Sequence, residues 1–212
     1  MIEWTDLIVA GIGLAGVLVG SLITVFKDTW TSWRQRKREA SYAAIRLIYI
    51  LEEYADHCID VVQDDGTKNG ESGGRTSDGQ EYHAPQTSTP SPPEFPGDIA
   101  WRSLDGPLMQ RVLALPNMAR STDRYIALAD EYASFPFFEE YFEARQEGYA
   151  RIGEKALATA DDLRAKYEIT AEGRMGKNTE WNPRSFLRKT INQFDQSNLP
   201  DTSDVTAKKA DT

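Results

Sequence analysis

Residues 7–26, LIVAGIGLAGVLVGSLITVF, run for 20 positions without a charged side chain. No other feature limits so sharply what this chain can fold into. The run contains Gly11-Ile12-Gly13-Leu14-Ala15-Gly16, a G-x-G-x-x-G pattern that in another context closes a dinucleotide-binding turn. That turn needs an amphipathic helix after it, then a second strand ending near an acidic residue about 20 positions on. Here the continuation is Val17-Leu18-Val19-Gly20-Ser21-Leu22-Ile23-Thr24-Val25-Phe26, with no polar face and no turn before Asp28. The nucleotide pattern lacks its fold.

A membrane helix accounts for the whole stretch. Twenty residues rise about 30 Å as a helix, the thickness of the bilayer hydrocarbon. Twelve of the 20 are Leu, Ile, Val or Phe, and at roughly 0.3 to 0.6 kcal/mol each they favour insertion by several kcal/mol. Trp4 precedes the run, and Trp30 and Trp33 follow it; about 39 Å of helix separates Trp4 from Trp30, which sets the indoles in the two headgroup zones. Before the span stand Glu3 and Asp6 and no cation. Residues 27–40 carry Lys27, Arg34, Arg36, Lys37 and Arg38 against Asp28 and Glu39. Positive charge stays on the cytoplasmic side, so residues 1–6 are expected outside and the rest inside. A cleaved signal peptide does not fit, because there is no basic leading segment and no small-residue cleavage site.

Charge then narrows the partners. The chain has a formal net charge of −9, and residues 41–212 hold 19 Lys and Arg against 29 Asp and Glu. Such a domain repels nucleic acid, and no basic stripe offsets that. Cys58 is the single cysteine, which excludes an internal disulfide and suits a reducing compartment.

Past the basic segment the sequence predicts an all-α domain over 41–168, an antiparallel bundle of three to four helices. Ala44, Leu47, Ile48, Leu51, Ala55, Cys58 and Val62 recur at helical spacing, with no Gly or Pro from Lys27 to Val62. The anchor is therefore expected to continue into the first bundle helix. Residues 63–98 are rich in glycine and proline and poor in aliphatic side chains, which predicts a long disordered insertion; a docking segment around Pro90 to Pro96 is the other reading. Helical pattern resumes near Trp101 with Leu104, Leu108, Val112 and Leu115, and Pro116 is expected to stop it. A further segment from Asn117 to Ser134 sets Ser121, Tyr125, Ala129 and Tyr132 on one face. Pro136 opens a long helix to about Tyr167, with Phe138, Phe142, Tyr149, Ile152, Ala156 and Leu163 in phase. No strand alternation stands out. Residues 169–212 read as a polar tail holding one short helix near 183–194, capped by Asn182 and burying Phe186, Leu187, Ile191 and Phe194.

Chemistry is sparse. Asp56, His57 and Cys58 are adjacent, so on a helix they point about 100° apart and form no relay. Two histidines, His57 and His83, cannot supply a His-rich metal centre. No catalytic, cofactor or metal residues are expected. Glu139, Glu140, Glu143 and Glu147 interleave with Phe137, Phe138, Tyr141 and Phe142, which reads either as a solvated face beside an aromatic core or as a docking face for a basic partner. The sharpest pattern is the small-residue line Gly13, Gly16, Gly20 and Thr24 on one face of the anchor, where a second helix can approach closely. Trp4, Lys27, Trp30, Trp33, Arg34, Arg36, Lys37 and Arg38 are the candidate headgroup contacts.

The stretch FPGDIAWRSLDGPLMQRVLALPN, with ALATADDLRAKY near a helix end, resembles a set of uncharacterised bacterial single-span proteins. They share a Trp-containing entry, a Leu-Pro stop and a basic Leu-Arg-x-x-Tyr ending, over roughly residues 5–168. The resemblance implies an inner-membrane location and carries no known activity, so no site residues follow from it. The expected function is a membrane-anchored interaction or scaffold protein, a homo-oligomer through its glycine face, touching membrane lipid and an unidentified protein partner. The alternatives are a tethered enzyme using Asp/Glu chemistry in the bundle, and an effector that disturbs the membrane in a stress or phage response.

Overall fold

A computed structural model of the chain describes residues 4–170 and 181–197, without the side chains of residues 4–26 and 28. Among the described residues there are four α-helices and four two-residue strands. Helix α1 spans Trp4–Gln63, α2 Gly106–Tyr132, α3 Glu139–Tyr167 and α4 Pro183–Ser197. The fold is thus mostly helical, as the periodicity predicts. Among the described residues no helix is long and apolar enough to cross a membrane. The side chains of the uncharged run 7–26, including Gly13, Gly16, Gly20 and Thr24, and that of Trp4 lie outside them, as do the tail residues 171–180 and 198–212.

Helix α3 is the axis of the bundle, and the other three helices run against it. The end of α1 meets the start of α3 where Asp64 reaches Arg145. The start of α2 meets the end of α3, with the Asp105 N–H donating to the Tyr167 hydroxyl at 2.8 Å. Helix α4 lies along α3 with Arg184 on Glu154 and Asp161, and Asp195 on Arg151. Every partner of α3 is therefore antiparallel to it, while α1 and α2 are parallel to each other. Two parallel helices need a long crossover, and this is what the segment after α1 supplies.

The whole predicted stripe of α1, from Ala44 to Val62, is buried, packed with Tyr149, Ile152, Ala156, Leu157 and Leu163 of α3 and Val112, Leu115 and Ala119 of α2. Removing each large aliphatic side chain from water stabilises the bundle by about 1.5–3 kcal/mol. On α4 the Asn182 cap is present, its Oδ1 accepting from the Ser185 N–H at 3.0 Å; Leu187 is fully buried, whereas Phe186, Ile191 and Phe194 are half-buried.

Two expectations need correction. Pro116 does not end a helix, because α2 runs through it from Gly106 to Tyr132. Val112, Leu115 and Ala119, fully or almost fully buried on both sides of it, hold the axis together, and their packing outweighs the missing backbone donor. Beyond the proline, Ala119 and Ile126 carry the buried side of α2, and the shared face of Tyr125 and Tyr132 is the exposed one. Finally, residues 63–98 are not a disordered excursion. Thr67–Lys68 (β1) pairs antiparallel with Glu71–Ser72 (β2), and Gly74–Arg75 (β3) with Glu81–Tyr82 (β4). The Ala84 N–H donates to Gly66 O at 3.0 Å, binding one hairpin to the other. From Thr87 the chain returns to Asp98, which pairs with Arg46 of α1 at 2.7 Å. Eleven extended residues reach about 36 Å, more than the roughly 27 Å of helix between Arg46 and Asp64. The prolines suit this: they stiffen an extended strap that is long enough to make the crossover.

Candidate functional site: the aromatic and basic collar

Residues 29–39 of α1 are exposed on every side, and burial begins at Ala40. A helix section standing clear of its own bundle has to satisfy its polar groups locally. Thr31 Oγ1 donates to Lys27 O at 2.8 Å, Gln35 Nε2 to Glu39 Oε1 at 3.0 Å and Ser41 Oγ to Lys37 O at 3.0 Å. Trp30 and Trp33 are 47% and 57% exposed, with ring centroids 6.1 Å apart. The Arg34 guanidinium sits 5.1 Å from the Trp30 ring centroid, a cation–π geometry. Among the described residues, none of Lys27, Arg34, Arg36, Lys37 and Arg38 takes part in a salt bridge. The collar thus offers two indoles and five exposed cations to whatever surrounds it. Tyr42, Ile45 and Tyr49 continue the exposed apolar surface onto the bundle. Trp30, Trp33 and the five cations all stand exposed on this one section of α1; Trp4, Gly13, Gly16, Gly20 and Thr24 lie outside the described side chains.

A second polar centre occupies the far end of the bundle, and the sequence reading missed it. Asp64, one residue beyond α1, is buried. Its Oδ2 accepts from the Gln86 and Thr87 N–H groups at 2.9 Å each and from Arg145 Nη2 at 3.2 Å, and its Oδ1 from the Gly66 N–H at 3.0 Å. Arg145 also donates to Thr87 O at 2.7 Å and to the Tyr141 hydroxyl at 3.0 Å. This clasp fixes both ends of the hairpin pair to α3. One signal was present: Arg145 lies three residues after Phe142 and four before Tyr149, a cation inside a stripe of core residues.

The remaining candidates disperse. Cys58 is fully buried against Gly153 of α3, while Asp56 and His57 face solvent. Burial pushes the Cys58 thiol well above its ordinary value, against a smaller opposing effect of Tyr54, so it is a poor nucleophile. Burial raises Tyr149 as well, helped by Asp123, whose Oδ1 accepts from its hydroxyl at 2.5 Å. Glu147 pairs with Arg151 at 2.8 Å, whereas Glu139 and Glu143 face solvent. Among the described residues no group of three or more His, Cys, Asp or Glu is placed to hold a metal ion. Comparison with known protein-family models, curated proteins and solved structures finds no match for this chain.

Proposed function

We propose that the chain is a membrane-anchored scaffold, with residues 7–26 as its single transmembrane helix, its N-terminus outside, and its bundle on the cytoplasmic side of a bacterial inner membrane. The observation that carries this reading is the collar: two exposed indoles and five exposed cations on a helix section that the bundle leaves uncovered. Exposed tryptophans on a soluble helix are an unfavourable surface, but at a bilayer interface they find the headgroups and the cations find anionic lipid, at about 1 kcal/mol per residue. The 20-residue uncharged run directly before the collar, and the resemblance to bacterial single-span proteins, support the same placement. The glycine line Gly13, Gly16, Gly20 and Thr24 supports self-association, since close helix approach in lipid replaces the hydrophobic drive that lipid removes.

The test has two parts. Alkaline carbonate washing should leave the full chain in the membrane pellet; release into the supernatant would end the anchor reading. Chemical crosslinking in native membranes should yield dimers or larger species that Gly16→Ile or Gly20→Ile reduces, and unchanged crosslinking would remove the self-association while leaving the anchor.

A further inference from the structure

The bundle end opposite the collar carries a surface of a different kind. Helix α2 ends at Tyr132 and α3 begins at Glu139, and the turn between them displays Tyr132, Phe135 and Phe137 at 77%, 49% and 53% exposure. The two phenylalanine rings do not hang loosely. Phe135 packs on Tyr82 and Phe138 with centroids 6.2 and 6.0 Å away, and Phe137 on His83 at 5.2 Å. Tyr82 and His83 belong to the hairpin segment that the Asp64–Arg145 clasp holds on α3. Phe135 and Phe137 are therefore held in one orientation, so little of their side-chain freedom is lost when they are covered, while Tyr132 stands beside them at the end of α2.

Charge along the helix ends and the turn is one-sided, and Arg75 of the hairpin segment beside Tyr82 is taken up by Glu81. From Tyr125 to Ala144 the sequence has Asp130, Glu131, Glu139, Glu140 and Glu143 and no Lys or Arg. The nearest cation on α3, Arg145, is buried on Asp64 and offers nothing to the surface. An apolar patch rimmed by carboxylates fits an occupant with apolar anchors and a cationic rim.

We infer that this turn is a docking surface for a cationic amphipathic segment of another protein. A second copy of this chain does not fit. Its own cationic segment, Arg34 to Arg38, lies on α1 about 38 Å of helix before Gln63, and copies anchored in one bilayer hold that segment at the same level. The inference goes beyond the scaffold reading and rests on it in one respect, the shared bilayer that keeps a second copy's cations from reaching this turn.

The test uses the full chain, in nanodiscs of zwitterionic lipid, or in buffer if it proves extractable. The probe is a fluorescein-labelled 16-residue peptide with lysine on one helical face and leucine on the other, with empty nanodiscs as the blank. Its anisotropy should saturate, and Tyr132→Ser or Glu139→Gln with Glu143→Gln should each weaken binding by about tenfold. Leu113→Ser, an exposed change far back on α2, should leave it unchanged. A lysine–glycine peptide of equal charge should bind at least about tenfold more weakly than the lysine–leucine one. Tyr132 is exposed and the two glutamates face solvent, so circular dichroism should report intact helix for every variant. Affinity unchanged in both variants, equal binding of the lysine–glycine peptide, or no saturation would each overturn the proposal.

Discussion

Asp64 and Arg145 stand 81 residues apart in the chain and meet at 3.2 Å, with 1% and 2% of their side-chain surfaces exposed. A buried pair of this kind is worth little against a hydrophobic substitute, yet breaking it by removing one partner strands the other charge. Asp64 carries more than the pair, because three backbone N–H groups also end on it. Asp64→Ala should therefore destabilise the bundle by about 3–5 kcal/mol. Arg145→Met should cost less, since the carboxylate keeps its three backbone donors. Urea denaturation followed by circular dichroism ranks the two, and the reverse order would show that the arginine is the main strut.

Gly66 gives a second check on the same clasp. Its φ is +79°, and a Cβ placed there would lie 2.3 Å from Phe142 Cζ and 2.8 Å from His83 Cβ. Backbone strain and overpacking act together in Gly66→Ala, for an expected loss of about 2–4 kcal/mol. Thermal unfolding should show it, and His83 amide exchange should accelerate as the hairpin loosens.

Pro116 can be removed at a gain. The position is helical and already fits α2, and alanine would restore one N–H donor toward the Val112 carbonyl. Allowing for the freedom proline removes from the unfolded chain, Pro116→Ala should stabilise by about 2 kcal/mol. A lower midpoint in urea would mean that the surrounding packing depends on the proline ring.

Stability should fall at both ends of the pH scale, for opposite reasons. Burial raises Cys58, Tyr54 and Tyr149 above their ordinary values of 9.0 and 10.0. Above about pH 9 the unfolded chain releases these protons first, so it binds fewer than the native state and stability drops as pH rises. Cys58→Ala should flatten the onset of that decline. In the native protein Cys58 should resist iodoacetamide and become reactive only in urea. At the acid end, Thr67 hydrogen bonds lower Asp65 and Arg46 lowers Asp98. Their contributions are present above the ordinary carboxylate value of 3.8 and are lost as pH falls below it. A melting-temperature profile from pH 2 to pH 11, with and without Cys58→Ala, checks both limbs.

Legibility followed the kind of force involved. The stripe from Ala44 to Val62 could be read directly, because repeated apolar spacing on one helix has one meaning. Trp30, Trp33 and the five cations were readable for the same reason, their separation along α1 being fixed by helix geometry. Pro116 was misread because a local rule yields when Val112, Leu115 and Ala119 pack on both sides. The order of residues 63–98 was hidden more deeply. It comes from a single carboxylate collecting backbone donors from Gly66, Gln86 and Thr87, and a glycine- and proline-rich composition carries no trace of that. The outward turn of Tyr125 and Tyr132 was equally concealed, since periodicity shows that a face exists and not which way it points.

The unbroken course of α1 has a mechanical consequence. Between Lys27 and Gln63 it has neither glycine nor proline, the residues at which helices bend sharply, and this stretch is about 55 Å long. Such a rod has no elbow. A twist or tilt imposed at the collar must arrive at Leu47, Leu51 and Cys58 as the same rotation, and from there at the Asp64 clasp and the aromatic turn. The two ends of the molecule are geared to each other through one shaft.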